Sequence, residues 1–233
     1  MGLFNHFFEI NVFLVLFSFF FLSFRRKVCY NIGMIIDKIE TKRNKTSVRV
    51  GENEYPFLPE ILAEFGIEEG ETDGKKFFEA KEKSDRILCR RRLNGMIERA
   101  EKSKQGYLDG LVERGFNFKI AKDAVDEAEA KGYIDDRRFA ECYLNLHGKS
   151  KGWFRLAAEL KQKGVSEEIV DKLKDDFGDH GAECAKCAEK FVRGLEATYE
   201  NRQKVYAKLI RKGFTTDEIA RALENFGNNG DID

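Results

Sequence analysis

"LKQKGVS" runs from Leu160 to Ser166, and its reading decides the fold. Close variants stand at Leu111 to Asn117 ("LVERGFN") and at Leu209 to Thr215 ("LIRKGFT"). Leu, two spacers, a basic residue, Gly, an apolar residue and Asn, Ser or Thr thus recur, with the glycines at 115, 164 and 213, an interval of 49 residues each time. Residue types kept in register over that distance imply an internal structural repeat. Leu111, Leu160 and Leu209 read as core positions on a helix. The glycine four residues later takes the left-handed conformation that ends a helix. Arg114, Lys163 and Lys212 sit favourably at the negative end of the helix dipole. Phe116, Val165 and Phe214 pack back on the helix just ended, and Asn117, Ser166 and Thr215 offer an oxygen to cap the next one. Thr215 with Glu218 has the spacing of a capping box. The repeated phrase is therefore a helix-turn-helix corner, with a structural meaning first.

Working outward, the apolar spacing beyond residue 76 is helical and contains no proline. The first repeat has Cys89, Leu93, Met96, Ile97 and Ala100, then Tyr107, Leu108 and Leu111, then Ile120, Ala121, Ala124, Val125 and Ala128. The second has Phe139 with Tyr143, Leu156 with Leu160, and Ile169, Val170 and Leu173. The third runs from Cys184, Cys187, Ala188, Phe191, Val192, Leu195 and Tyr199 through Val205, Tyr206, Leu209 and Ile210 to Ile219, Ala220, Leu223 and Phe226. Each repeat therefore has three helices. Residues 34–57 differ: Ile35, Ile36 and Ile39, then Val48 and Val50, then Tyr55 and Phe57 alternate between turn-prone residues, as three short antiparallel strands would. Pro59 to Phe65, closed by Gly66, reads as a short helix, and the polar stretch Glu68 to Lys76 as a linker. Its "GETDGKK" lacks the spacing and hydroxyl of a phosphate loop. The fold expected is mainly α: three tandem three-helix, helix-turn-helix-like repeats in an elongated body, plus a small β-rich amino-terminal domain. The boundaries expected are 1–33 leader, 34–76 β-rich domain and linker, 77–133, 134–180 and 181–228 repeats, and 229–233 tail.

With 41 basic and 41 acidic side chains, no global field draws the protein to nucleic acid or membrane. Five irregularly placed cysteines (29, 89, 142, 184 and 187) suit a reducing compartment, so the body is read as cytoplasmic. Ile10 to Phe24 is almost wholly Phe, Leu, Val and Ile, followed by Arg25, Arg26 and Lys27. It is short against the roughly 20 residues of a membrane span, and it lacks the features of a secretory signal. As an anchor it would leave the remainder in the cytoplasm; with translation starting at Met34 it would not belong to the working protein.

"GYIDDRRFAECYLNLHGKSKGWFRLAAELKQKGVSEEIV" (Gly132 to Val170) carries further signals. Tyr133, Ile134, Asp135, Asp136, Arg138 and Phe139 are followed by Lys151 and Gly152, and then by Glu159, Leu160, Lys163 and Gly164. In combination these resemble the RecX family, bacterial regulators of the RecA recombinase. The resemblance covers about Ser84 to Phe226, and Met34 to Phe65 looks like the amino-terminal domain of some Firmicute-type members. Gly106 and Tyr107, and Trp153 with Phe154, depart from the family pattern. The resemblance implies a monomer that binds the groove of the RecA filament with its single- or double-stranded DNA, bridges protomers, and weakens ATP hydrolysis and strand exchange. It implies no cofactor and no stable membrane partner.

Charge supplies the candidate site. The second helix of the third repeat carries Arg202, Lys204, Lys208, Arg211 and Lys212 with no acid from 201 to 213. Around the second helix of the second repeat, Lys149, Lys151, Arg155, Lys161 and Lys163 outweigh Glu159. The third helices are acidic, with Glu167, Glu168, Asp171, Asp175 and Asp176 in one and Asp217, Glu218 and Glu224 in the other, which disfavours conventional docking of that helix in a major groove. The basic second helices are therefore the face expected to meet RecA and DNA. Asp135 and Asp136 could be a metal or acid-base pair, but they read better as a helix cap. Cys184 and Cys187, near His180, fall on the apolar stripe with no second pair, which favours core over zinc. His147 and His180 have no evident nucleophile, so neither catalysis nor a metal is expected. Trp153 is a core anchor or a partner contact. Two rivals remain, a stand-alone DNA-binding helical repeat protein, with steep salt dependence, and a membrane-tethered helical adaptor, with a hydrolase or metalloenzyme a distant third.

Overall fold

The three glycine corners share one geometry. In the computed structural model, which describes residues 33–43 and 45–227, Gly115, Gly164 and Gly213 have φ of 87°, 85° and 90°. The N–H of the next residue, Phe116, Val165 or Phe214, donates to the carbonyl of Leu111, Leu160 or Leu209 at 3.3, 3.1 and 3.4 Å. The glycine N–H donates to the carbonyl three residues back. This is a Schellman ending, in which the residue after the glycine packs on the helix it has just closed. Leu111, Leu160 and Leu209 are each 0 % exposed, so truncation of any one to Ala would cost about 2–5 kcal/mol.

The described residues divide into two compact units, with the boundary between Arg91 and Arg92. The first holds strands β1 (Gly33–Ile36), β2 (Lys38–Lys42), β3 (Lys45–Val50), β4 (Asn53–Phe57) and β5 (Gly70–Asp73), with helix α1 (Pro59–Glu64). β2, β3 and β4 form an antiparallel sheet, while β1 pairs with β5. Ile36, Val48, Phe57, Ile61, Phe77 and Ala80 form its core. The stretch Glu68 to Lys76 is therefore not a linker: Gly70–Asp73 is a strand, and helix α2 (Gly74–Ile97) begins directly after it. "GETD" has no apolar alternation because β5 contributes backbone pairing to β1, Ile36 opposite Gly70 and Gly33 opposite Asp73, rather than a buried face. The apolar run Ile10 to Phe24 and the tail 229–233 lie outside the described residues.

The second unit, which begins within α2, holds the remainder of the first repeat and the other two. Helices α3 (Lys104–Val112) and α4 (Phe118–Ala130) complete the first; α5 (Asp136–His147), α6 (Trp153–Gln162) and α7 (Glu167–Phe177) form the second; α8 (Gly181–Val192), α9 (Tyr199–Lys212) and α10 (Thr216–Ala222) form the third. Each corner residue caps the helix after it. The Asn117 side chain accepts from Lys119 N–H and Ser166 from Ile169 N–H, while Thr215 and Glu218 form the reciprocal box. The second repeat encloses Phe139, Leu156, Leu160, Val165, Val170 and Leu173, and the third encloses Cys184, Val205, Leu209, Phe214, Ile219 and Leu223. The helical stripe expected through Leu195 and Tyr199 stops earlier: α8 ends at Val192, Gly194 turns the chain at φ 77°, and Leu195 and Tyr199 are exposed.

The corners also join the repeats. Gly152 N–H donates to Lys212 O (2.9 Å) and Phe154 N–H to Gly213 O (3.1 Å), so the third repeat's corner caps the free amides that open α6. The approach is close enough that a Cβ on Gly152 would lie 2.3 Å from Gly213 O. One repeat earlier, Ser103 Oγ, at the start of α3, donates to Lys163 O. A Cβ on Gly164 would meet the Gln105 side chain at 2.4 Å. The first corner meets no such neighbour, and a Cβ on Gly115 would have nothing within 4 Å.

Candidate functional site

The basic residues fall into two electrostatic states. On α6 the carboxylate of Glu159 is a hub: Oε2 accepts from Lys151 Nζ (2.6 Å) and Tyr143 OH (2.8 Å), and Oε1 from Arg155 Nε (2.7 Å). Burial works against its ionisation, but these three donors outweigh burial and hold its pKa down to about 2. Burial, followed by the bond to Glu159, pushes the Tyr143 hydroxyl up to about 12. At the other end of α6, Lys161 pairs with Glu167 across the corner, and Lys163 Nζ lies 5.3 Å from the Tyr143 ring centroid.

On α9 none of Arg202, Lys204, Lys208, Arg211 and Lys212 is ion-paired among the described residues. Lys204, Lys208 and Arg211 succeed one another at helical spacing and are all exposed. Lys208 and Lys212 reach the Phe191 ring at 5.4 and 5.9 Å, Lys212 Nζ also donates to Ser150 O at 3.0 Å, and Arg211 Nε donates back to Ala207 O. The seam between the repeats brings Lys151 and Arg155 to the end of α9, where Lys212 Nζ reaches Ser150 O. Lys161 and Lys163 stand at the opposite end of α6, Arg202 is half-buried near the start of α9 beside Gly227, and Lys149 is exposed in the loop after α5. The ten cations therefore do not form one even patch. A fully uncompensated strip on α9 leads into a partly neutralised seam.

The acidic motif holds the first two repeats together. Asp135 caps α5, its side chain accepting from Arg137 and Arg138 N–H. Asp136 reaches across to the Lys104 amide that opens α3, at 2.7 Å. Burial raises its pKa, opposed by that bond. Arg138 donates to Gly132 O and Tyr133 O and pairs with Glu101. Tyr133 itself is exposed, while Ile134 and Phe139 are buried. Cys184 and Cys187 are buried in the third core, and burial pushes the Cys184 thiol up to about 12. His180 stacks on Phe177, with centroids 3.7 Å apart. Among the described residues no group of three or more His, Cys, Asp or Glu is placed to hold a metal ion, and no helix is long and apolar enough to cross a membrane.

Of the two readings of Trp153, core anchor and partner contact, the structure agrees with the first. Trp153 packs against Phe177 at 5.3 Å, in the wall of the second core. Its neighbour Phe154 is 60 % exposed, at the seam. The available signal was the repeat register, because the residues equivalent to Phe154 are Gln105 and Gln203, so the fold does not call for an aromatic there.

This architecture defines a helical-repeat protein whose three-helix modules are joined corner to helix start. Family profiles described as "RecX, second three-helix domain" and "RecX, third three-helix domain" match residues 135–173 and 182–223. The chain is 31% identical over 199 residues to the "Regulatory protein RecX" of Clostridium tetani (strain Massachusetts / E88), covering 81% of this chain and 92% of the relative. It is 29% identical over 207 residues to that of Clostridium perfringens (strain SM101 / Type A), covering 83% and 98%. A solved structure titled "Crystal structure of regulatory protein RecX" superposes with a TM-score of 0.59 at 19% identity, over 83% of this chain and 98% of that one, and shows the same fold. The chain belongs to the RecX family.

Proposed function

We propose that this protein regulates RecA by binding the RecA-DNA filament in its groove, lowering ATPase, recombinase and coprotease activity in most conditions. It acts by occupancy, as a monomer, with no reaction or cofactor of its own. The observation that carries this reading is the strip on α9, where Lys204, Lys208 and Arg211 find no carboxylate among the described residues. Cations left unpaired attract a polyanion. The third helices carry exposed Asp171 and Asp175 on α7 and Asp217 on α10, with no ion pair among the described residues, which gives the same array surfaces suited to protein rather than phosphate. An array of this kind lying across neighbouring protomers alters their coupling and obstructs incoming duplex.

The test is a RecA ATPase assay on single-stranded DNA with the wild-type chain and with Lys204→Glu/Lys208→Glu. The double variant is expected to lose most of the inhibition while keeping the wild-type helical content and melting midpoint. A folded double variant that inhibits fully removes α9 from the interface.

A further inference from the structure

The seam offers something that phosphate attraction does not require. Phe154 is 60 % exposed, directly before Arg155, at the point where the end of α9 meets the start of α6. Its backbone N–H serves the joint through the bond to Gly213 O, while the residue stays 60 % exposed. The equivalent residues Gln105 and Gln203 show that a polar side chain satisfies the repeat. Isolated apolar residues on a surface are ordinary. This one stands at the end of the Lys204, Lys208 and Arg211 strip, which spans about 10 Å of helix, and beside Lys212 and Arg155.

We infer that Phe154 is a stacking platform for an unpaired base of single-stranded DNA whose phosphates follow the α9 strip. The inference rests on the reading of α9 as the polyanion-facing surface and adds the mode of contact. An exposed ring beside a cationic track is the arrangement that holds single strands without sequence preference, because every base has a π-face. A duplex keeps its bases stacked and offers such a ring nothing, so the platform selects single strands. Arg155, the next residue of α6, has its guanidinium turned to Glu159 one turn on, so the ring is the group left open at this point of the seam.

The test measures fluorescence anisotropy of the full chain with a labelled oligothymidylate and with an abasic oligomer of the same length, across a salt series. Phe154→Ala is expected to weaken oligothymidylate binding by about tenfold, to leave abasic binding and the salt slope unchanged, and to be rescued by Phe154→Trp. Lys204→Glu/Lys208→Glu is expected to weaken both ligands and flatten the slope. The platform is overturned if Phe154→Ala binds oligothymidylate like wild type, if it loses the abasic oligomer equally, or if the wild type does not prefer bases to abasic sugar. The RecA assay separates the two readings. A wild type that stacks bases but leaves RecA ATPase untouched sinks the filament reading alone, whereas inhibition that depends on α9 with no base preference sinks the platform alone.

Discussion

Helices α6 and α9 occupy the same place in successive repeats, yet the cations of one are paired with carboxylates and those of the other are not, among the described residues. Position by position, Arg155, Glu159 and Gln162 on α6 correspond to Lys204, Lys208 and Arg211 on α9. Glu159 engages Lys151, Arg155 and Tyr143 together; its counterpart Lys208 lies over the Phe191 ring. The repeat fixes where a side chain stands, and a single residue of that column decides whether the helix is a structural brace or an open electrostatic surface.

The severest way to break the comparison is to pull the two helices apart. At Gly213 a Cβ would lie 2.2 Å from Arg155 N, in addition to a φ of 90° that side chains rarely adopt. At Gly115 only the φ of 87° opposes it. Gly115→Ala is therefore expected to cost about 1–2 kcal/mol, the ordinary penalty of a left-handed residue. Gly213→Ala should exceed about 3 kcal/mol, because backbone and not a flexible side chain is in the way. Urea melts of the two variants check the ordering; equal losses would mean that the corner does not seat on α6.

That joint also lies beyond what local sequence encodes. The corners themselves were legible, because a Schellman ending needs a buried Leu, a glycine and an apolar residue at fixed spacing, and all three lie within one short phrase. The need for glycine at 152 was visible only as part of a family motif, since its cause is the Gly213 carbonyl, distant in sequence. Strand β5 was missed because backbone pairing leaves no apolar signature. At the site, counting charges found both basic helices but treated Glu159 as one acid against several bases. Its two oxygens hold three donors in place while cancelling a single charge, and which donors they hold follows from the packing of α5 against α6, not from the number of charges.

Exchanging the deciding residue sharpens the comparison next. Lys208→Glu should convert α9 toward the braced state of α6, reducing inhibition of RecA ATPase and lowering the salt slope of oligonucleotide binding by about 1, because one phosphate fewer is neutralised. Glu159→Lys should act oppositely on the slope while destabilising the second repeat, where Tyr143, Lys151 and Arg155 lose their shared acceptor. Opposite changes in slope from the two variants are the expected result, and changes of the same sign would show that the equivalent positions do not face the same ligand.

Acid separates the helices more gently. The folded pKa of Glu159 is about 2, below its ordinary value of 4.5. Its contribution to stability is therefore complete above the usual carboxylate range and is lost as pH falls from there toward 2. Melting midpoints followed from about pH 6 down to about pH 3 should drop less steeply in Glu159→Gln than in wild type. Parallel curves would remove Glu159 from the account of acid sensitivity.

The smallest effect is expected at Lys161, which is basic by composition but already paired with Glu167 across the corner. Its counterpart in the third repeat is Ile210, so cationic charge at this column is not a shared feature of the second helices. It lies near the corner end of α6, away from the seam where Arg155 meets the end of α9. Exposed pairs of this kind contribute little to stability because solvent screens them and the side chains give up freedom to meet. Lys161→Ala should leave the melting midpoint, the salt slope and the inhibition of RecA at wild-type values, whereas Lys208→Ala, one cation removed from the unpaired strip, lowers the slope. If Lys161→Ala weakens binding as much as Lys208→Ala does, pairing with a carboxylate is not what separates idle from active cations in this array, and the contrast between α6 and α9 loses its electrostatic basis.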